Sequence, residues 1–224
     1  MSNEPFLIAG GGIAGLAASL GLARSGRAAQ VFEQAPAFEE VGAGLQMSPN
    51  AVRALQALGA WDAVEPHCVI PSEIHVRDGL TGGLLQRIRL GKGFEENFGA
   101  PYRVAHRASL LSGLLSVAQA NHAVTLHTGQ SVTGARSTEE GATLRLASGE
   151  EVSGAAVIGA DGIRSAIRMS ALKGNEPSPH GHTLYRTLIP FDAVPASIAA
   201  DAVTLWLLPG AHAVHYPVSA WRQF

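Results

Sequence analysis

The stretch "FLIAGGGIAGLAASLGLARSGRAAQVFE", Phe6 to Glu33, constrains the fold more than any other part of the chain. Phe6-Leu7-Ile8-Ala9 is a short apolar run of the kind that forms a strand buried on both faces of a parallel sheet. It enters Gly10-Gly11-Gly12-Ile13-Ala14-Gly15, the glycine spacing GxGxxG. An apolar helical pattern follows through Leu16, Leu20 and Ala23 and stops at Ser25-Gly26. Ala29-Gln30-Val31-Phe32 then reads as a second strand, ending on Glu33. Each part has a physical task. Gly10 permits a tight turn, Gly12 lets the backbone approach a pyrophosphate, and Gly15 lets the helix pack closely on the strand.

Ile13 and Ala14 open the helix, where free N–H groups and the positive end of the dipole face an anion. Glu33, with Gln34 beside it, lies 18 residues past the last glycine, about where an acidic group accepts ribose hydroxyls. A negative charge there disfavours a 2′-phosphate, so FAD or NAD is expected rather than NADP. The competing reading of Phe6 to Ala23 is a membrane span, since the run is uncharged and holds Gly11 and Gly15 at GxxxG spacing. Glu4 precedes it without any Lys or Arg, and glycine is concentrated where a helix would be weakest. Strand, turn and helix of a soluble domain, with no membrane span, is the expectation.

The 224 residues suffice for one large domain or two small ones, and 46% hydrophobic against 15% charged residues describes a globular chain. A net charge of −2 with no Lys/Arg stripe argues against nucleic-acid binding, which needs many phosphate contacts. The single cysteine, Cys68, excludes an internal disulfide, fits a reducing, cytoplasmic setting, and reads as a buried, inert thiol. His180 and His182 form HxH, but no HExxH, CxxC or GxSxG accompanies them, so neither a metal site nor a hydrolase nucleophile is expected.

Further along, Gly42-Ala43-Gly44 makes a second glycine turn, and Ser48-Pro49-Asn50 starts a helix through Val52, Leu55 and Leu58 that stops at Gly59. Ser72 to Gly91 alternates apolar and polar residues around Gly82-Gly83, a hairpin signal that breaks the βα rhythm. Arg107 to Ala120 is helical by spacing, three short β stretches follow around Val132, Ala142–Leu146 and Val152, and Ala155–Ala160 leads as a buried strand into Asp161-Gly162. "KGNEPSPHG", residues 173–181, reads as a linker. "HTLYRTLIPF", "AVTLWLLP" and "HAVHYPV" beyond it read as strands.

Taken together, Gly10 to Gly15 with Glu33, "GAGLQMSPNAVRALQALG", "YRVAHRASLLSGL" and "VIGADGIRSAIR" resemble the FAD-dependent aromatic hydroxylases, the single-component flavoprotein monooxygenases related to p-hydroxybenzoate, salicylate and 6-hydroxynicotinate hydroxylases. "YRTLIP" and "LPGAHAVHYPV" extend the likeness along the chain. The resemblance implies an α/β fold: a Rossmann-like FAD-binding domain of the p-hydroxybenzoate hydroxylase type over 1–70 and 101–172. An interrupted, mostly β substrate domain would cover 71–100 and 173–224. It also implies FAD contacts at Arg107, at Asp161 and Gly162, at Ala43 and at the backbone of Val132, and a substrate contact at Gln46. Asp161 would in any case suit the cap of the following helix. Ser109 stands where an Asp is common in the arginine motif, and Thr187 where the family usually has Gly; both are small departures.

For such relatives NADH or NADPH reduces FAD, and a flavin C4a-hydroperoxide delivers oxygen to a small phenolic or heteroaromatic ring, with O₂ as co-substrate. A His and a Tyr four residues apart line the substrate pocket of close relatives, and His212 and Tyr216 match them. On a strand that spacing puts both on one face, about 13 Å apart along the backbone, and puts His215 on the other. His212 is the expected base for the phenol proton and Tyr216 its neighbour. The resemblance also allows a homodimer. The family's later Gly-Asp-Ala-Ala-His-Pro motif does not occur, so the chain is expected to be the first part of such an enzyme, with an incomplete substrate domain. Another FAD oxidoreductase of the same fold, an epoxidase or reductase, and an inactive FAD-binding fragment are the alternatives.

Overall fold

Four consecutive apolar side chains can all be buried only where both faces of a strand are covered, and Phe6–Ala9 forms such a strand, β1, with Leu7, Ile8 and Ala9 fully buried. The structure is a computed structural model that describes residues 4–38, 43–137, 139, 141–195, 198, 201–220 and 222–224; Gly42 of the second glycine turn lies outside them. After β1 come α1 (Ile13–Arg24), β2 (Ala29–Phe32), β3 (Gly44–Met47), α2 (Pro49–Leu58), α3 (Trp61–Val64), β4 (Cys68–Val69), β5 (Glu73–Asp78) and β6 (Leu84–Arg89). Next are α4 (Lys92–Phe98), β7 (Arg103–His106), α5 (Arg107–Gln119), β8 (Val124–His127), β9 (Val132–Ser137), β10 (Ala142–Leu146), β11 (Glu151–Gly154) and β12 (Ala156–Gly159). α6 (Ala166–Ala171), β13 (Ala202–Leu208) and β14 (Ala211–His215) complete the series.

The chain divides into two compact units. The first, Met1–Glu40 with Leu111–Leu184, holds a parallel sheet in the order β12-β1-β2-β8. Beside it lies an antiparallel meander, β11-β10-β9. Leu7, Ala9, Phe32, Leu144, Leu146 and Ile167 form one core cluster joining sheet, meander and α6. Residues 6–23, read above as strand, turn and helix, take that form, and among the described residues no helix is long and apolar enough to cross a membrane.

The second unit, Val41–Leu110 with Tyr185–Phe224, contains a four-stranded sheet, β14-β13-β5-β6, and a three-stranded one, β3-β7-β4. β13 runs parallel to β5, and the hairpin of β5 and β6 is antiparallel, as the alternation around Gly82 anticipates. Val69, Leu90, Tyr102, Val104 and Val203 pack between the two sheets, with Ile74, Phe94 and Tyr216 against them.

Three features differ from the sequence reading. Residues 41–70 and 101–110 belong to the same compact unit as the hairpin, because β3 and β4 pair with β7 and not with the parallel sheet. "HTLYRTLIPF" is not a strand: residues 182–188 are almost wholly exposed, and only Ile189 to Phe191 find backbone partners, in residues 222–224. Helix α4 has no counterpart in the sequence reading, because its "KGFEENF" is short and carries no clear apolar face.

Leu144 is fully buried at the centre of the first unit's core, whereas Leu85 on β6 is 60% exposed. Leu144→Ala is expected to lower the unfolding free energy by about 3 kcal/mol, measured by urea titration, and Leu85→Ala to leave it nearly unchanged.

Candidate functional site

The turn after β1 shows what each glycine is for. Gly10 has φ +98°, and a Cβ there would lie 2.4 Å from the Ala160 carbonyl oxygen. A Cβ on Gly15 would lie 1.9 Å from the carbonyl oxygen of Gly10, so α1 begins in direct backbone contact with the turn. Gly12 is different. Its backbone is extended, and an added Cβ would meet nothing within 4 Å. Among the described residues nothing requires a glycine at 12, and its missing side chain leaves open surface there beside the N-terminus of α1.

That helix end suits an anion. The first turn of α1 holds no acidic residue, and no side chain caps it. The amides of Ile13, Ala14 and Gly15 precede the first intrahelical bond, Leu16 N–H to Gly12 carbonyl at 3.0 Å. Glu33 stands at the end of β2, with one carboxylate oxygen accepting the Gly11 N–H at 2.7 Å and the other the Ala35 N–H at 2.9 Å. Each carboxylate oxygen has two lone pairs, so the group is fixed by the backbone and keeps acceptor capacity for hydroxyls. Phe38 closes over Gly11, where a Cβ would lie 2.3 Å from its ring. A glycine turn open at one position, a free helix end and an oriented carboxylate fit the pyrophosphate and ribose of a dinucleotide.

Asp161 follows β12, and its Cα would lie 3.0 Å from a Cβ on Gly10, so the second motif abuts the first. Its carboxylate accepts from the Ser165 hydroxyl at 2.6 Å and from the Ile167 N–H at 3.1 Å, while Ser165 caps α6 by accepting the Arg168 N–H. The capping role of Asp161 is therefore present. A cavity of ≈ 580 Å³ opens beside it, bordered by Ala142, Gly159, Gly162, Ile167 and Arg168. Gly12 and Glu33 do not border that cavity; the glycine turn is open surface.

Gly10, Gly12, Ile13, Ala14, Gly15, Glu33, Gln34, Val132, Asp161 and Gly162 all lie on the first unit, Gln34 exposed and Val132 packed against the core. Ala43, Gln46, Arg107, His212 and Tyr216 lie on the second. Arg107 is the half-buried first residue of α5, and its N–H donates to the Ala43 carbonyl at 3.0 Å.

The second unit gathers Tyr216, Gln46 and a residue that sequence reasoning missed, Tyr102. The Tyr102 hydroxyl donates to Gln46 Oε1, and Tyr216 packs against the core cluster that holds Tyr102. Burial pushes the Tyr102 phenol up to about 12, with the neighbouring Tyr216 adding to the rise. Burial also raises Tyr216, opposed by the Arg186 charge and by the Gln46 side chain. Tyr102 and Gln46 are 56 residues apart, so only the pairing of β3 with β7 brings them together. His212 is exposed, opposite Leu207 on β13.

His215 is a half-buried aromatic and not part of that cluster. It stacks on Trp206 at 6.1 Å and lies 5.1 Å from the Phe224 ring, with neither ring nitrogen hydrogen-bonded. Burial, then the Arg77 charge, holds it below its ordinary value. Cys68 donates its thiol to the Val64 carbonyl, and burial pushes it up to about 11, so it stays a protonated thiol. Among the described residues no group of three or more His, Cys, Asp or Glu side chains gathers to hold a metal.

The sequence matches the family described as FAD binding domain over residues 4–223. It is 37% identical over 223 residues to a 3-hydroxybenzoate 6-hydroxylase of Polaromonas naphthalenivorans (strain CJ2), an alignment covering 100% of this chain and 56% of that protein. A 3-amino-4-hydroxybenzoate 2-monooxygenase, PtnB3, of Streptomyces platensis is 38% identical over 212 residues, 95% of this chain and 52% of its own length. Among solved structures, Klebsiella pneumoniae HpxO complexed with FAD and uric acid superposes with a TM-score of 0.78 at 26% identity, covering 98% of this chain and 55% of that one. The chain thus spans about half the length of the curated relatives it matches.

Gly12→Ala is expected to leave the melting temperature within about 2 °C of wild type and to weaken FAD binding about tenfold or more, read by flavin fluorescence. Gly15→Ala, placed against backbone, should destabilise the fold itself. For His215 the folded pKa lies below the unfolded one, so its contribution to stability is complete above about pH 6.5 and is lost as pH falls through the folded value. Urea unfolding at pH 7.5 and pH 5 should show a smaller loss in His215→Phe than in wild type.

Proposed function

The chain belongs to the FAD-binding domain family, and on that premise we propose that it is the FAD-holding part of a monooxygenase acting on a small phenolic or heteroaromatic ring, with NADH or NADPH and O₂ as co-substrates. The observation that carries the reading is the combination of Gly12, whose missing side chain serves no packing among the described residues, and Glu33, whose carboxylate the backbone orients. Gly10, Gly12 and Gly15 shape the turn, Ile13 and Ala14 offer amides to the pyrophosphate, and Glu33 with Gln34 meets the ribose. Val132, Asp161 and Gly162 complete this set, and Ala43 and Arg107 are assigned to the same cofactor by resemblance. In function, 1–70 with 101–172 is the FAD-binding part and 71–100 with 173–224 the substrate part, although the compact units divide differently.

FAD, when bound, supplies the transfer of reducing equivalents from the nicotinamide and the activation of oxygen. The protein's own share is binding, orientation and proton handling. Gln46 and Tyr216 hold ring substituents, and His212 takes the proton of the substrate hydroxyl, which makes the ring more electron-rich. Relatives named for hydroxybenzoates and aminohydroxybenzoates favour an aromatic acid as substrate. A soluble cytoplasmic protein and a homodimer are part of the same proposal. A second reading, an FAD-binding fragment without turnover, is favoured by the chain's spanning about half of its relatives.

Purified chain reconstituted with FAD should be yellow, with flavin absorbance near about 450 nm, the ordinary oxidised-flavin band. NADH or NADPH oxidation that 3-hydroxybenzoate stimulates, and that falls about 100-fold in His212→Ala, is the expected result. A yellow protein without such stimulation leaves the second reading, and a colourless one that cannot be reconstituted contradicts both.

A further inference from the structure

We infer that Gly44 and Tyr102 are positioning residues for the Tyr216 hydroxyl: Gly44 sets where the phenol ring lies, and Tyr102, through Gln46, sets which way its proton points. Gly44 is the first residue of β3 and is absent from the positive-φ glycines, so backbone conformation does not require a glycine there. The ring requires it. A Cβ on Gly44 would lie 2.3 Å from Tyr216 Cε2, 2.8 Å from its hydroxyl oxygen and 2.9 Å from Cζ. The phenol therefore rests on bare backbone, and any side chain at 44 displaces it.

The direction of the proton follows from donor and acceptor counting. A primary amide has one acceptor oxygen and one donor nitrogen. Tyr102 donates to the oxygen of Gln46 and so leaves the amide its nitrogen to offer, and Gln46 lies two residues along β3 from Gly44, on the face where the Tyr216 ring rests. On this inference the Tyr216 oxygen accepts from that nitrogen, and its own O–H is left to donate to another acceptor. The cluster thus presents a hydrogen-bond donor to a ligand oxygen: a carboxylate, phenolate or carbonyl. Arg186 is the charged group facing Tyr216, and Tyr102 the titratable one. The link to a ligand rests on the reading of Tyr216 as a substrate contact; the positioning itself does not, and its test uses no substrate.

The chain has three tyrosines, Tyr102, Tyr185 and Tyr216. With ¹³Cζ-labelled tyrosine each gives one NMR signal, assigned by its Phe variant, and ionisation is followed from about pH 8 to about pH 12, a range that extends well above the ordinary phenol pKa of about 10 because burial raises Tyr216. In Tyr102→Phe the Gln46 oxygen is freed, the amide turns to accept the Tyr216 proton, and the neutral phenol is favoured. The Tyr216 titration should move up by about one pH unit. A Tyr102 that only fills space would leave it unchanged, because Phe fills nearly the same space, and that result overturns the proton assignment. In Gly44→Ala the ring leaves its seat and Tyr216 should titrate closer to about 10; an unchanged Tyr216 overturns the seat. If Gly44→Ala does not fold, Gly44→Ala with Tyr216→Leu should fold, since the shorter side chain vacates the space, and failure of both variants overturns the seat as well. A chain that passes these tests yet shows no hydroxylase turnover refutes the function while leaving the positioning intact.

Discussion

The contact between Gly15 and the Gly10 carbonyl is the constraint on which the first unit depends. With 1.9 Å between a would-be Cβ and that oxygen, α1 can start where it does only if residue 15 has no side chain. The consequence is geometric. The helix begins directly at the end of the central strand β1, and its free amides emerge next to the carboxylate that ends the neighbouring strand, β2. Gly10 fixes the same turn from the other side, against Ala160 and Asp161 at the end of β12. Three parallel strands thus deliver their C-terminal ends to one place, where ligands bind in open α/β sheets.

The second unit works by a different principle. Its polar groups are placed by cross-strand pairing rather than by a helix end. β3 and β7 pair antiparallel, which brings the exposed Gln46 beside Tyr102, itself part of a core with Val69, Leu90, Val104 and Val203. Such burial is costly for a phenol unless it is hydrogen-bonded, and the amide of Gln46 meets that need for Tyr102. The same burial makes the phenols reluctant to ionise, so they act as neutral hydrogen-bonding groups at physiological pH.

Local signals carried much of this fold. β1, α1 and β2 were legible because an apolar run, a glycine spacing and an acidic residue fall in register within 28 residues, Phe6 to Glu33. The hairpin of β5 and β6 and the stop of α2 at Gly59, which has φ 72°, were equally local. What was not legible depends on long-range pairing. Tyr102 sits in a motif that draws attention to Arg107, and nothing in its neighbourhood points to Gln46. The alternation in "HTLYRTLIPF" suggests a strand, but a strand needs a partner, and residues 182–188 find none among the described residues. His215 shares the pattern of a site histidine with His212; only stacking on Trp206 and Phe224 identifies it as part of the packing.

The central claim is that FAD binds on the first unit, at the open glycine turn and the oriented carboxylate. Amide hydrogen exchange of the chain with and without saturating FAD tests it most directly. Slowed exchange at Gly12 to Gly15 and at Glu33 to Ala35, with Leu144 in the core little changed, is the predicted result. FAD binding that leaves those amides exchanging at the free rate, or protects only residues elsewhere, would contradict it.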